Sequence, residues 1–258
     1  MTSSHRSPLR ATLLIEGARP GALQMAIDEV LLDDAAAQGN CWLRFYQWSE
    51  PTVSLGYFQA YADRAHHTAS QACAVVRRQT GGGAIVHDRE LTYCLAVPVA
   101  HPLAADPTRL YDAVHQALIE VLADDAIAAK LCGDQAASAE SAPFLCFQRR
   151  SAQDVVIGAV MIGAAKICGS AQRRRRGAIL QHGSLVLAAS AAAPELPGIE
   201  ELTGRSLAAT ALSKIWANRI AARLPLELSG GVLPPQLERE AEALAVAKYA
   251  DSAWTRRR

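Results

Sequence analysis

A cysteine thiol, a scarce lysine amine and a run of backbone glycines are the chemical groups this sequence sets apart. Six cysteines occur, at Cys41, Cys73, Cys94, Cys132, Cys146 and Cys168, widely spaced and with no C-x-x-C. A zinc ribbon is disfavoured by that spacing, and a disulfide framework by a length of 258 residues. Most such cysteines are small buried hydrophobes. Cys146 differs in its setting, Pro143-Phe144-Leu145-Cys146-Phe147, after a polar loop and before Arg149-Arg150. Nearby positive charge favours the thiolate, which is the nucleophilic form. Lys166 is distinctive because the chain carries 22 arginines and only four lysines, the others being Lys130, Lys214 and Lys248. An ammonium can give up its proton to catalysis and a guanidinium cannot. Cys168, two residues from Lys166, is the rival nucleophile, although it falls inside an expected strand beside Gly169.

The second constellation is Arg77-Arg78-Gln79-Thr80-Gly81-Gly82-Gly83-Ala84-Ile85-Val86-His87-Asp88. It is neither a Walker A loop nor G-x-G-x-x-G. Consecutive glycines between strands make either a plain turn or a place where backbone must approach a ligand closely. Strand neighbours alternate, so only one of Arg77 and Arg78 is expected to face such a site. His182, in Gln181-His182-Gly183-Ser184, is as readily a hydrogen-bonded core residue as a functional one. The run Arg173 to Arg176 reads as a solvated hairpin tip or as a basic rim near the nucleophile; an RNA-binding patch is disfavoured because no aromatics are interleaved and the net charge is near zero. His66 and His67 lack acidic or cysteine partners at ligand spacing, so no metal site is expected.

Periodicity supplies the elements that must carry these groups. Helical spacing marks 21–36, with Asp28 and Glu29 among its apolar positions, and then 107–129, 206–224 and 235–249. Aromatic and β-branched runs mark strands at 41–48, 53–58, 74–79, 84–86 and 91–97. A hairpin is expected over 154–162 and 166–170, and a further strand pair over 178–187. Residues 135–143 and 193–204 read as loops, and the stretch from Val156 to Ala164 resembles a small apolar duplication. Strands adjoin one another without regular strand–helix alternation. The expected fold class is therefore α+β (α/β), a mixed β-sheet flanked by helices. A catalytic domain is expected over 1–205, with a helical C-terminal extension, 206–258, packed on it.

Composition narrows the function classes. Half of the residues are apolar and the formal net charge is +1, so a general nucleic-acid coat is not indicated. The first 24 residues hold no apolar run of secretory length, and no stretch reads as a membrane helix, which gives a cytoplasmic expectation.

Taken together, these segments resemble the lipoate-protein ligase / octanoyltransferase family, related to the biotin-protein ligase catalytic domain. The resemblance runs in order through Gly21 to Glu29, Leu43 to Trp48, Ser54 to Gln59, Arg77 to Asp88, Glu90 to Tyr93 and Lys166 to Ser184. It fades over the last 50 or so residues. The Cys146-Phe147 pair upstream of Lys166-Ile167-Cys168-Gly169-Ser170-Ala171-Gln172, followed by Leu180-Gln181-His182-Gly183-Ser184, is similar to the LipM-type octanoyltransferase branch. The resemblance implies transfer of octanoyl from acyl carrier protein, through a thioester on Cys146, to a lysine of a lipoyl-domain protein such as the glycine-cleavage H protein. It implies Cys146 and Lys166 as catalytic residues and no cofactor. Arg78, Gly81, Gly82, Gly83, His87, Gly169, Ser170 and His182 become the expected substrate-binding residues. The alternatives are an ATP- and magnesium-dependent lipoate-protein ligase, with Cys146 a bystander, or a non-catalytic relative that binds acyl chains.

Overall fold

The computed structural model describes residues 8–133, 143–158, 163–175 and 177–258. Most of the expected 135–143 loop, the middle of the apolar duplication, Arg176 and residues 1–7 of the first expected domain lie outside the described residues.

Among the described residues the strands are β1 (Leu9–Ile15), β2 (Trp42–Tyr46), β3 (Thr52–Leu55), β4 (Ala74–Arg77), β5 (Ile85–His87), β6 (Glu90–Pro98), β7 (Ala129–Leu131), β8 (Val155–Ile157), β9 (Ala165–Arg175), β10 (Ala178–Val186) and β11 (Leu226–Gly230). Eight of them form one sheet in the order β11-β1-β2-β6-β10-β9-β8-β7. β11, β1 and β2 run parallel, and the remaining pairs are antiparallel. The other three form a small sheet, β4-β3-β5. The expected mixed sheet flanked by helices is what the chain adopts.

Period-two alternation in the central strands sends side chains to two separate cores. Leu43, Phe45, Tyr93, Leu95, Ile179 and Leu185 face a layer made by α2 (Pro107–Asp124) and α4 (Ala209–Arg223). Trp216 of α4 is fully buried there, packed between Phe45 and Tyr93. Trp42, Tyr46, Cys94, Ala96 and Leu180 face the opposite layer, made by α1 (Gly21–Gln38) and α5 (Pro235–Leu244). α1 is sandwiched between the sheet and α5, so it is buried on more than one face, Asp28 and Glu29 included. Both carboxylates are paired: Asp28 with Arg44, Tyr46 and His182, and Glu29 with Arg175, Lys248 and Tyr249.

Several elements depart from the sequence expectation. The pair expected at 178–187 is a single strand, β10, which pairs without a break with β6 on one side and β9 on the other; the turn falls before it, at Gly177, where φ is +99°. The second long helix stops at Asp124, and Ala129–Leu131 goes to the sheet edge as β7. The 193–204 loop holds a short helix, α3 (Ile199–Thr203). β1 and β11 were not anticipated, and β11 brings the C-terminal segment into the main sheet beside β1. A last turn of helix, α6 (Ser252–Thr255), packs on β4. No helix among the described residues is long and apolar enough to cross a membrane.

Candidate active site

Cys146 opens a short 3-10 turn, Cys146–Gln148. Its position is fixed by backbone: the Ala84 N–H donates to the Phe144 carbonyl at 2.9 Å, and the Cys146 N–H donates to the Ala84 carbonyl at 2.7 Å. The residue after the glycine triplet therefore clamps the segment that carries the thiol. A Cβ on Gly83 would stand 3.0 Å from the Cys146 nitrogen, so a side chain there would press on the turn that carries the thiol.

Lys166 comes from β9. The register passes from Val155↔Cys168 to Val156↔Lys166, which leaves an extra residue in β9. Such a bulge re-aims the adjacent side chain. The Lys166 ammonium lies 3.7 Å from Cys146 Sγ and 3.4 Å from the Cys146 carbonyl. Its third partner is Asp154 Oδ2, at 2.9 Å. Three N–H donors thus meet three acceptors, in a side chain only 4% exposed. Phe147 adds a ring face 5.3 Å from the nitrogen. Gly169 makes room for this group, since a Cβ there would come within 2.5 Å of Lys166 Cε.

The pocket beside Cys146 is lined by Arg78, Gly81, Gly82, His87, Gly169, Ser170 and His182 of the expected residues, and further by Met25, Tyr46, Trp48, Ser54, Ile85, Phe147 and Thr92. Its lining is mostly apolar, as an acyl chain requires. Lys166 and Gly83 touch Cys146 from outside that lining. Arg78 faces the pocket and Arg77 points away, to the carbonyls of Gly56, Gln59 and Thr255. Arg78 donates to the carbonyls of Ser54, Gly81 and Gly83, and so holds the glycine loop in place. Burial pulls its guanidinium down to about 10.

Both histidines are walls with their ring nitrogens engaged. His87 Nε2 meets Ser54 Oγ at 2.7 Å and its Nδ1 meets Glu90 at 2.9 Å, while the ring stacks on Trp48 at 3.9 Å. Arg78 also donates to Ser54 Oγ, so one hydroxyl links the guanidinium to His87. His182 contacts Thr80 Oγ1 at 2.7 Å and Asp28 at 3.1 Å. Burial would raise the Asp28 carboxyl, but the His182 hydrogen bond and the Arg44 charge outweigh it and hold the group below its usual range. Ser170 Oγ is shared between Tyr93 and His115, both at 2.6 Å.

The competing thiols are enclosed. Cys168 and Cys94 are completely buried, and burial pushes both thiols well above the usual range. Cys146 is partly exposed at the pocket. The residue that sequence reasoning missed is Asp154. Its one signal is an acidic side chain directly before the apolar strand 155–157, in the hairpin that contains Lys166. The arginine run also differs from a free hairpin tip. Arg175 pairs with Glu29 at 2.5 Å, Arg174 reaches the Ala104 carbonyl, and Arg173 lies over Tyr57.

This fold is the one found in a bi-partite lipoate protein ligase of Thermoplasma acidophilum, described together with its E2 lipoyl domain. The two chains superpose with a TM-score of 0.72 at 19% identity, covering 97% of each. The family described as the lipoyl protein ligase A/B catalytic domain matches residues 20–195. Octanoyltransferase LipM of Symbiobacterium thermophilum is 32% identical over 95% of this chain and 98% of its own. Octanoyltransferase LipM of Kyrpidia tusciae is 31% identical with the same coverage. The chain belongs to the lipoyl protein ligase A/B catalytic-domain family.

Proposed function

We propose that this protein is an octanoyltransferase of lipoate biosynthesis that works through an acyl-cysteine. The Cys146 thiolate attacks the thioester of octanoyl-acyl carrier protein. The new Sγ–acyl bond forms as the carrier's sulfur–acyl bond breaks, and the carrier leaves as a thiolate that takes up a proton. The neutral amine of a lysine on a lipoyl-domain protein, such as the glycine-cleavage H protein, then attacks the same carbonyl. The C–N bond forms, the bond to Cys146 breaks, and the amine's proton returns to the sulfur side. The Lys166 ammonium steadies negative charge on sulfur in both halves. Neither half consumes a nucleotide, so the proposed reaction needs no cofactor.

The observation that carries this reading is the 3.7 Å separation of Lys166 Nζ from Cys146 Sγ at the mouth of an apolar pocket. A ligase acting through an acyl-adenylate has no use for a thiol at that point. The test is intact mass after exposure to octanoyl-acyl carrier protein without ATP. A gain of one octanoyl group, mapped to Cys146 and discharged by a lipoyl domain, is expected. Modification of a lipoyl domain only with free lipoate, ATP and magnesium would overturn the reading.

A further inference from the structure

Beside the Cys146 pocket, over Tyr57 and Phe58, lies a cluster of guanidinium groups that come from distant parts of the chain. Phe58 is 66% exposed there, and its ring lies close to the position a Cβ on Gly81 would take, at 3.9 Å. Tyr57 packs edge-on against it at 4.9 Å. Over these two rings lie Arg257, 4.4 Å from the centre of Tyr57, Arg258, 5.3 Å from that of Phe58, and Arg173, 5.4 Å from that of Tyr57. Arg149 lines the adjoining groove with Phe58, Phe144 and His66, and that groove meets the pocket at Gly82. The C-terminal segment is fixed in this place: Tyr61 N–H donates to the Arg258 carbonyl at 2.8 Å, and Arg77 donates to that of Thr255.

Several arginines elsewhere in the chain are neutralised, among them Arg175 by Glu29, Arg219 by Asp124 and Arg223 by Glu120. Among the described residues, Arg149, Arg173, Arg257 and Arg258 form no ion pair, and the groove has one carboxylate in its lining, Asp63. The chain as a whole is near neutral, so this is a local excess of positive charge beside the reactive thiol. Cations held over aromatic faces keep their charge and stay available to an anion.

We propose that Arg173, Arg257 and Arg258, around Tyr57 and Phe58, form the docking surface for an acidic protein that delivers the acyl thioester on an anionic, phosphate-bearing arm. The proposal rests on the octanoyltransferase reading and names the donor's place on it. The arm fits the groove that leads past Arg149 to Gly82, and complementary charge raises encounter rate without altering the chemical step.

The test uses the full chain with Arg257→Gln and Arg258→Gln together, Arg173→Gln separately, and Arg223→Gln as a control. Acylation of Cys146 is followed with octanoyl-acyl carrier protein and with the neutral octanoyl thioester of N-acetylcysteamine, over a salt series. The double variant is expected to lose about tenfold in kcat/KM with the carrier-borne donor at low salt, with the gap closing as salt rises. The small donor and the control should be unchanged. Equal loss with both donors, or no loss with either, would overturn the surface. So would a defect confined to transfer onto the lipoyl domain, which would assign the surface to the acceptor. If neither donor acylates Cys146 in the unaltered protein, it is the octanoyltransferase reading that fails.

Discussion

Asp154 and Lys166 form a buried ion pair at 2.9 Å, with side chains 6% and 4% exposed. The same Asp154 oxygen accepts the Ser151 N–H at 2.7 Å, so the carboxylate is itself held by the turn that enters β8. The lysine is thereby aimed at Cys146 from one side, while backbone bonds at Ala84 fix the cysteine from the other.

Replacing Asp154 by Asn should therefore weaken both fold and site. Breaking one half of a buried pair costs about 3–5 kcal/mol, and the amide, which can still accept a hydrogen bond, places this variant near the lower end. Urea unfolding measures the loss. Alkylation of Cys146 by iodoacetamide at fixed pH should slow, because the ammonium is no longer tethered against the sulfur.

Cys146→Ala should abolish acyl transfer. Its stability should change by about 1 kcal/mol or less, since the side chain is only partly buried. Thermal unfolding and a transfer assay check the two halves of the statement. An octanoyl adduct on Cys168 or Cys94 would contradict it, as both thiols are enclosed and held protonated by burial.

Lys166→Arg should be almost as damaging to transfer as Lys166→Ala. A planar guanidinium cannot place three N–H donors on Cys146 Sγ, the Cys146 carbonyl and Asp154 in the space left by Gly169. Single-turnover acylation rates of the two variants should agree within about tenfold, each at least about a hundredfold below the unaltered protein. An Arg variant at near-normal rate would mean that only the positive charge matters.

Gly169→Ala tests the same space with no change in charge. The added carbon would sit 2.5 Å from Lys166 Cε and 2.8 Å from its Nζ, so the lysine must move. Overpacking of this kind costs about 1–3 kcal/mol. Acylation should fall further than stability predicts, which a rate measured well below the melting temperature would show.

His115 gives a pH signature. Burial, with the Lys166 charge as a smaller contribution, holds its imidazole below the ordinary histidine value of 6.5, against the opposing hydrogen bond to Gln153 and the charge of Asp154. Below about pH 6.5 the unfolded chain binds a proton there that the native protein does not, so stability falls as pH falls. Above that value both forms are neutral and the effect vanishes. The slope is at most about 1.4 kcal/mol per pH unit. His115→Gln should flatten the urea midpoint between pH 6.5 and 5 relative to the unaltered protein.

Much of the architecture was legible because it follows from local pattern. α1, α2, α4 and α5 come from helical spacing, and β2, β4 and β6 from aromatic and β-branched runs. The parts that were not legible are short or depend on remote partners. β11, with the sequence Leu226-Glu227-Leu228-Ser229-Gly230, is a strand only because β1 lies parallel to it. Asp28 and Glu29 could not be placed from α1 alone, since their burial depends on Arg44, His182, Arg175 and Lys248, all outside that helix.

At the site the division is sharper. Residue types alone mark the reactive groups: a cysteine between aromatics, one of only four lysines in an arginine-rich chain, and three consecutive glycines between strands. Lys166 lies 20 positions after Cys146, and nothing in their spacing says that they meet. That contact depends on a bulge that turns Lys166 inward and on a bridge from Ala84 to the Cys146 turn. It also depends on Asp154, which is an ordinary surface-type residue until the hairpin carries it beside Lys166. These three points come into being only on folding, because each is an interaction between segments whose local sequences encode strand, turn and helix but not one another.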